Sequence, residues 1–495
     1  MFPVFIWFVI VAIAIVTFTF GVPGTLLRRQ RRKQLRGDTF PVRDVSAERL
    51  PPCIRGWCPY VRAGFQFAFG AAPPQSFLEA ARKQHGDVFT VEMFGRRMTF
   101  LFSKNGIGQF FDSAPSKVSF IRAVEPFTDG IFGLAPTYFE KILHMLLVQL
   151  REELHLDKGS DRGLARHLTG FAEALRMAMR QQMASLDGQA VAHVDDLFDL
   201  CGRLIFTASF QTVFGRECAN ALNKDGRLYE TFVAFDREFE LAALPIPQFL
   251  LRSFSRARRQ LLRAMQRAVR LVEPATPAGK LLAKLDSDEK VCASVLLTLL
   301  WASSANTLLS AGWLIVLSAE WCNRARPVTE SMAWELVTET LRLASSGIAV
   351  RIGCEPLYVD DFRIPAGDYL CISPWLAHQD EHRGGKRFDP CRYQHIEDKK
   401  ALFRGRTRQL YTFGGGMYRC PGQEYALHEL VLFIQIFFEF VERVELGVAG
   451  DPLTSMDAYR LVGIKRPTRP FPGKLFLISS CCDLRCGDPH PSERW

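Results

Sequence analysis

The chain has 495 residues, 48% hydrophobic and 23% charged, an ordinary globular balance that excludes a disordered or collagen-like protein. Its formal net charge is +10, but Arg28, Arg29, Arg31, Arg32, Lys33 and Arg36 supply much of it from one short stretch, which removes the case for a nucleic-acid partner. Forty phenylalanines against ten tyrosines point to a large apolar core or an apolar pocket.

Residues 1–22, MFPVFIWFVIVAIAIVTFTFGV, carry no charge and at about 1.5 Å per residue are long enough to cross a hydrocarbon core. No basic segment precedes this run and no small-residue cleavage site follows, which favours a retained transmembrane anchor over a removable signal. Positive flanks stay on the cytoplasmic side, so the rest of the chain is expected to face the cytosol. Residues 23–50 read as a basic, polar linker. The pair Pro51-Pro52 stiffens its exit and opens one large domain, 51–495.

Within that domain FTVEMFGRRMTFLF (89–102) alternates around a Gly-Arg turn and predicts a β-hairpin. From about 160 to 320 the pattern is mainly helical. Arg256, Arg259, Arg263, Arg267 and Arg270 recur at helical spacing just after the apolar LAALPIPQFLL (241–251), a basic amphipathic helix suited either to solvent or to anionic headgroups. KLFLISS (474–480) reads as a last strand. Thirteen cysteines without paired CxxC spacing fit reduced thiols, not structural zinc, and Cys481, Cys482 and Cys486 read as part of a solvated tail.

The chemistry concentrates at FGGGMYRCPG (413–422). Three glycines let the backbone turn tightly and approach a flat ligand without Cβ clashes. Pro421 suits a first helical turn, and QEYALHELVLFIQIFFEF continues as an apolar helix. Cys420 therefore stands at a helix N-terminus beside Arg419, where its thiolate is stabilised for attack on a substrate or for binding a metal.

The spacing F-x-x-G-x-x-x-C-x-G, met by Phe413, Gly416, Cys420 and Gly422, resembles the haem loop of cytochromes P450. Glu339-Thr-Leu-Arg342 matches that family's E-x-x-R, and FDPCRY supplies Arg392 in the matching order. Arg351, nine residues past Arg342, stands where the family's haem-propionate partner does. The resemblance implies a mainly α fold with small β-sheets, the cytochrome P450 fold, behind the N-terminal anchor. It also implies haem b, with the Cys420 thiolate as axial iron ligand. Phe413, Gly416, Gly422, Arg351 and Arg419 would hold the cofactor, and Glu339, Arg342 and Arg392 would lock the fold.

In LLWASSANTLLSAGW (299–313) Thr307 matches the family's oxygen-side threonine, while Asn306 replaces the usual acid. A hydroxyl that donates and accepts can relay protons, and Asn306 can orient a water without ionising. WASxANT and LRLASSGIAVR (341–351) resemble the sterol 7α-hydroxylase branch, and PPCIRGWCPYVRAGFQF (51–67) its oxysterol members, the 24-hydroxycholesterol type above all. That branch implies a sterol-like substrate, O2, an NADPH–cytochrome P450 reductase and the endoplasmic reticulum membrane. A thiolate-haem isomerase acting on a lipid peroxide, like prostacyclin synthase, and a non-catalytic haem- or sterol-binding membrane protein are the alternatives. Three features depart from the family: Tyr418 stands where arginine or histidine is common, no Trp-x-x-x-Arg appears in YFEKILHMLLVQLR (138–151), and Thr307 and Glu339 lie only 32 positions apart. The last predicts a shortened or missing helix between them.

Overall fold

The computed structural model describes residues 49–478, apart from 55–71, 94–95, 155–160, 185–189, 245–246, 286–287, 380–384 and 406–407. The anchor, most of the linker and the C-terminal cysteines lie outside the described residues.

The N-terminal half begins with β1 (Cys53–Ile54), α1 (Pro74–His85), the antiparallel hairpin β2 (Val88–Met93) and β3 (Arg96–Leu101), α2 (Lys104–Asp112) and β4 (Val118–Ser119). Helices follow: α3 (Ile121–Phe132), α4 (Pro136–Leu154) and α5 (Asp161–Ala184). Strand β5 (Val191–Val194) interrupts the expected helical run before α6 (Leu197–Phe214), α7 (Arg216–Asn223), α8 (Arg227–Arg237), α9 (Phe239–Ala243), α10 (Arg252–Ala268) and α11 (Pro277–Leu282). The four residues of this strand are too few to register as a period; it exists because it pairs with β11 (Gly473–Leu477), far along the chain.

The axis of the molecule is α12 (Glu289–Arg324), capped by the Asp288 carboxylate on the Lys290 and Val291 N–H groups. By length and composition alone it could cross a membrane. It is instead packed inside the protein by α6, α8 and α10 and by α13 (Glu330–Ala344) and α15 (Gln423–Phe440). A helix apolar all round is a core helix when other helices cover it. Trp313 fixes its middle, edge-on to Phe198 at 4.8 Å, with its indole N–H donated to the Lys465 carbonyl at 2.7 Å.

The short Thr307–Glu339 interval holds only the rest of α12, the connection 325–329 and the first turns of α13, with no separate helix between. Arg326 anchors the connection by donating to the Val441 and Phe438 carbonyls at 2.8 and 2.7 Å.

Beyond α13 the chain forms β6 (Ala349–Gly353), the β7 (Leu357–Val359) and β8 (Phe362–Ile364) hairpin, β9 (Tyr369–Ile372) and α14 (Pro374–His378). The main sheet runs β1-β2-β3-β9-β6-β4. A smaller one joins β10 (Val441–Leu446), β11 and β5. The molecule is mainly helical with small sheets.

Candidate active site

The site rests on a buried ion cluster under α13. Residues three apart on a helix share a face, and Arg342 donates to both Glu339 oxygens at 2.8 and 2.9 Å. Arg392 reaches the same carboxylate at 3.2 Å, the Tyr393 hydroxyl donates to it at 3.1 Å and the Asp389 N–H at 2.8 Å. Burial works against the Arg342 charge, but the Glu339 pair outweighs it and holds the guanidinium pKa above its ordinary value. The remaining Arg342 protons go to the His378, Gly385 and Arg387 carbonyls. The Glu339 carboxylate, a set of carbonyls and, for Arg392, Asp389 at 3.9 Å thus satisfy the two cations, tying α13 to the loop that leads towards Cys420.

The Cys420 loop closes on itself through the Cys420 N–H donated to the Phe413 carbonyl at 2.9 Å, while the Phe413 ring packs edge-on against Phe403 at 5.5 Å. The Gly422 N–H hydrogen-bonds the sulfur, and α15 begins at the next residue. Two of the three glycines, Gly415 and Gly416, also pack closely against protein neighbours. Gly416 has φ +64°, and a Cβ there would collide with the Phe111 carbonyl at the end of α2; at Gly415 a Cβ would meet Arg408 at 2.7 Å.

Arginines clasp this loop. Arg351, on β6, donates to the Gly415 carbonyl at 2.9 Å and to the Phe110 carbonyl, with its guanidinium 5.1 Å above the Tyr418 ring. Arg151, in the last turn of α4, donates to the Met417 carbonyl from below. Sequence reading missed Arg151, because the partner it serves is a backbone carbonyl 266 positions away that leaves no local pattern. Arg419 lines a cavity of about 430 Å³ with Arg151, Arg404, Arg408 and Asp112. Tyr418, not Arg419, is the loop residue against Arg351.

Across from the loop's helix, α12 carries the other residues. The Thr307 hydroxyl is buried and donates to the Ser303 carbonyl one turn back at 3.1 Å. Asn306 is open, as is Ala302 one turn earlier, on a helix otherwise covered on its sides. The Asn306 Oδ1 is taken: it accepts the Ile464 N–H at 3.0 Å.

These residues fit a haem. Burial pushes the Cys420 thiol above its ordinary pKa, opposed by the Gly422 N–H and by Arg419 and Arg151, while the residue keeps accessible surface to offer a ligand. Among the described residues no cluster of three or more His, Cys, Asp or Glu could hold a bare ion; a single cysteine thiolate is a protein ligand that a haem iron accepts. Arg351 is buried without a carboxylate at ion-pair distance among the described residues, and burial lowers its pKa to about 10, offset in part by Tyr418. A buried cation of this kind is complementary to a propionate.

The family profile for Cytochrome P450 matches residues 332–452. The chain is 27% identical over 455 residues to the 24-hydroxycholesterol 7-alpha-hydroxylase of Mus musculus, covering 84% of this chain and 91% of that protein. It is 26% identical to the Homo sapiens protein of the same name, covering 85% and 92%. Similarity to the cholesterol 7-alpha-monooxygenase of Cricetulus griseus is 23%, covering 81% and 89%. With the thiolate loop, the buried Glu339–Arg342–Arg392 cluster and this similarity along most of its length, the chain is a haem-dependent monooxygenase of the cytochrome P450 type, similar to the sterol 7α-hydroxylases.

Proposed function

We propose that this monooxygenase hydroxylates a sterol or oxysterol at the 7α position, using O2 and electrons from an NADPH–cytochrome P450 reductase. One observation carries the substrate class. The similarity to the 24-hydroxycholesterol 7-alpha-hydroxylase spans 84% of the chain, so it extends far beyond the thiolate loop.

Bound haem supplies the binding and reductive activation of O2. Cys420 would hold the haem iron through its thiolate, with the Gly422 N–H and the positive charge of Arg151 and Arg419 favouring the anionic sulfur. Phe413 and Gly416 keep the loop in shape, and Arg351, with Tyr418 beside it, would meet the propionates. Thr307 is the proton-handling hydroxyl: bonded to Ser303, it keeps its lone pairs as acceptors, and releasing that bond frees its proton. The Asn306 amide nitrogen remains available to hold a water, although the Asn306 oxygen does not.

Residues 1–22 serve as a single-pass anchor in the endoplasmic reticulum membrane, residues 23–50 as the linker, and 51–495 as the cytosolic haem domain. Six basic residues just past the apolar run favour that orientation.

The test is a Soret titration of the oxidised protein with cholesterol and side-chain oxysterols, followed by turnover with reductase and NADPH. A blue shift and a reductase-dependent 7α-hydroxylated product are expected. No shift with any sterol, with turnover of a lipid hydroperoxide in the absence of reductase, would replace this reading by that of an isomerase.

A further inference from the structure

Four arginines from three segments converge on the cavity of about 430 Å³ beside the cysteine loop: Arg151 from the last turn of α4, Arg404 and Arg408 from the stretch before the loop, and Arg419 from the loop itself. Asp112, at the end of α2, is the one carboxylate among its lining residues. Neither Cys420 nor Arg351 lines it, so the cavity lies apart from the groups assigned to the haem iron and its propionates.

The charges there are only partly matched. Arg404 pairs with Asp398 at 2.8 Å and with Glu424 at 3.5 Å. Arg408 has Asp112 at 3.4 Å and donates to the Gly405 carbonyl at 2.6 Å. Its guanidinium lies 4.2 Å from the centre of the Phe111 ring and the residue is 9% exposed, yet its Nε–H has no hydrogen-bond partner among the described residues. Arg151 donates to the Met417 and Arg419 carbonyls and has no carboxylate at ion-pair distance among the described residues. Burial, and then the Arg419 charge, lower its pKa, with Cys420 opposing. An anion that accepts hydrogen bonds relieves both the orphaned donor and the crowded cations.

The geometry selects among anions. Guanidinium forks match the oxygens of carboxylates and phosphates in pairs. A carboxylate offers its two oxygens in one plane, whereas these forks come from three segments, and a tetrahedral anion presents an oxygen to each. We propose that this cavity is a binding site for a phosphate dianion, free or as a small monoester, held by Arg151, Arg408 and Arg419 and opposed by the Asp112 carboxylate. The site stands independently of the sterol reading. Its occupant ties α2 and α4 to the cysteine loop, so occupancy reads out as stability.

The test titrates inorganic phosphate into the full-length, haem-loaded ferric protein in neutral detergent, at an ionic strength held constant with chloride. Thermal unfolding should show a saturable stabilisation, because a ligand of the folded state alone stabilises it. The ferric iron should also shorten the phosphorus nuclear relaxation of the bound phosphate. Arg408→Gln should weaken phosphate about tenfold or more, the worth of a charge-assisted hydrogen bond, and Arg408→Lys, which keeps the charge without the fork, should lose less. Asp112→Asn should tighten binding, a gain that no folding defect imitates. Arg256→Gln and Arg259→Gln, on α10, should leave it unchanged. Competition by glycerol phosphate upholds the site with a free ester as ligand; competition by vesicles containing phosphatidic acid upholds it with a lipid headgroup. The proposal is overturned by stabilisation no greater than chloride gives, by equal affinity in Arg408→Gln and the parent, or by loss of binding on changing Arg256 or Arg259. Unaltered phosphorus relaxation, or stabilisation by an acidic peptide but not by phosphate, overturns it too. If Arg408→Gln does not fold, Asp112→Asn decides.

Discussion

Arg351 and Gly415 are joined by a 2.9 Å hydrogen bond from the guanidinium to the carbonyl, five residues before the thiolate, and this bond carries the cysteine loop on strand β6. Arg351 also holds the end of α2 and faces Tyr418. Replacing it removes a structural clasp and a propionate partner together. Arg351→Leu is expected to lose most of its haem on purification, and Arg351→Lys, with a point charge in place of a planar fork, to keep part of it. The Soret-to-protein absorbance ratio, and the fraction of the reduced CO complex absorbing at the thiolate position, check this.

The Glu339 cluster predicts an asymmetry. Glu339 and Arg342 are 0% and 1% exposed, while Arg392 is 20% exposed. Glu339→Gln leaves the fully buried Arg342 without its anion, while Arg392 keeps Asp389 at 3.9 Å, and should cost about 3–5 kcal/mol. Arg392→Ala, at the solvent side, should cost about 1 kcal/mol. Thermal unfolding of the haem-loaded proteins ranks them; equal losses would mean that the buried charge is not what locks α13.

Glu429, on α15, is buried with the Ser209 hydroxyl donated to it, and burial raises its pKa from 4.5 to about 8. The folded protein therefore keeps a proton that the unfolded chain gives up. The resulting contribution is full below about pH 4.5 and is lost as pH rises towards 8, at up to about 1.4 kcal/mol per pH unit. Glu429→Gln should flatten the fall in melting temperature between pH 6 and 8. A variant with the parent's pH profile would show that Glu429 is already ionised.

A membrane-facing surface is testable apart from the anchor. Phe249 is 74% exposed in the short turn before α10, and Arg256, Arg259, Arg263 and Arg267 lie exposed along that helix. Near an anionic surface each arginine is worth about 1 kcal/mol. A chain starting at residue 51 should bind vesicles rich in phosphatidylserine, weaken with added salt, and lose about fivefold in affinity per Arg→Gln change. Salt-independent binding, or none, would assign the stripe to solvent.

The sequence by itself determined what depends on neighbours along the chain. The Cys420 loop and the helix behind it, the Glu339–Arg342 pair, the β2–β3 hairpin and the missing helix after α12 all follow from spacing, because a few residues fix one another's directions through covalent geometry and helical period. Tertiary structure decided the rest. It set Phe111 against the glycines, brought Arg151 under the loop, buried Glu429 beside Ser209 across 220 positions, and gave the Asn306 oxygen to Ile464 across 158. Those contacts join segments whose separation carries no periodicity. They form because a buried N–H or carbonyl must find a partner wherever packing delivers one.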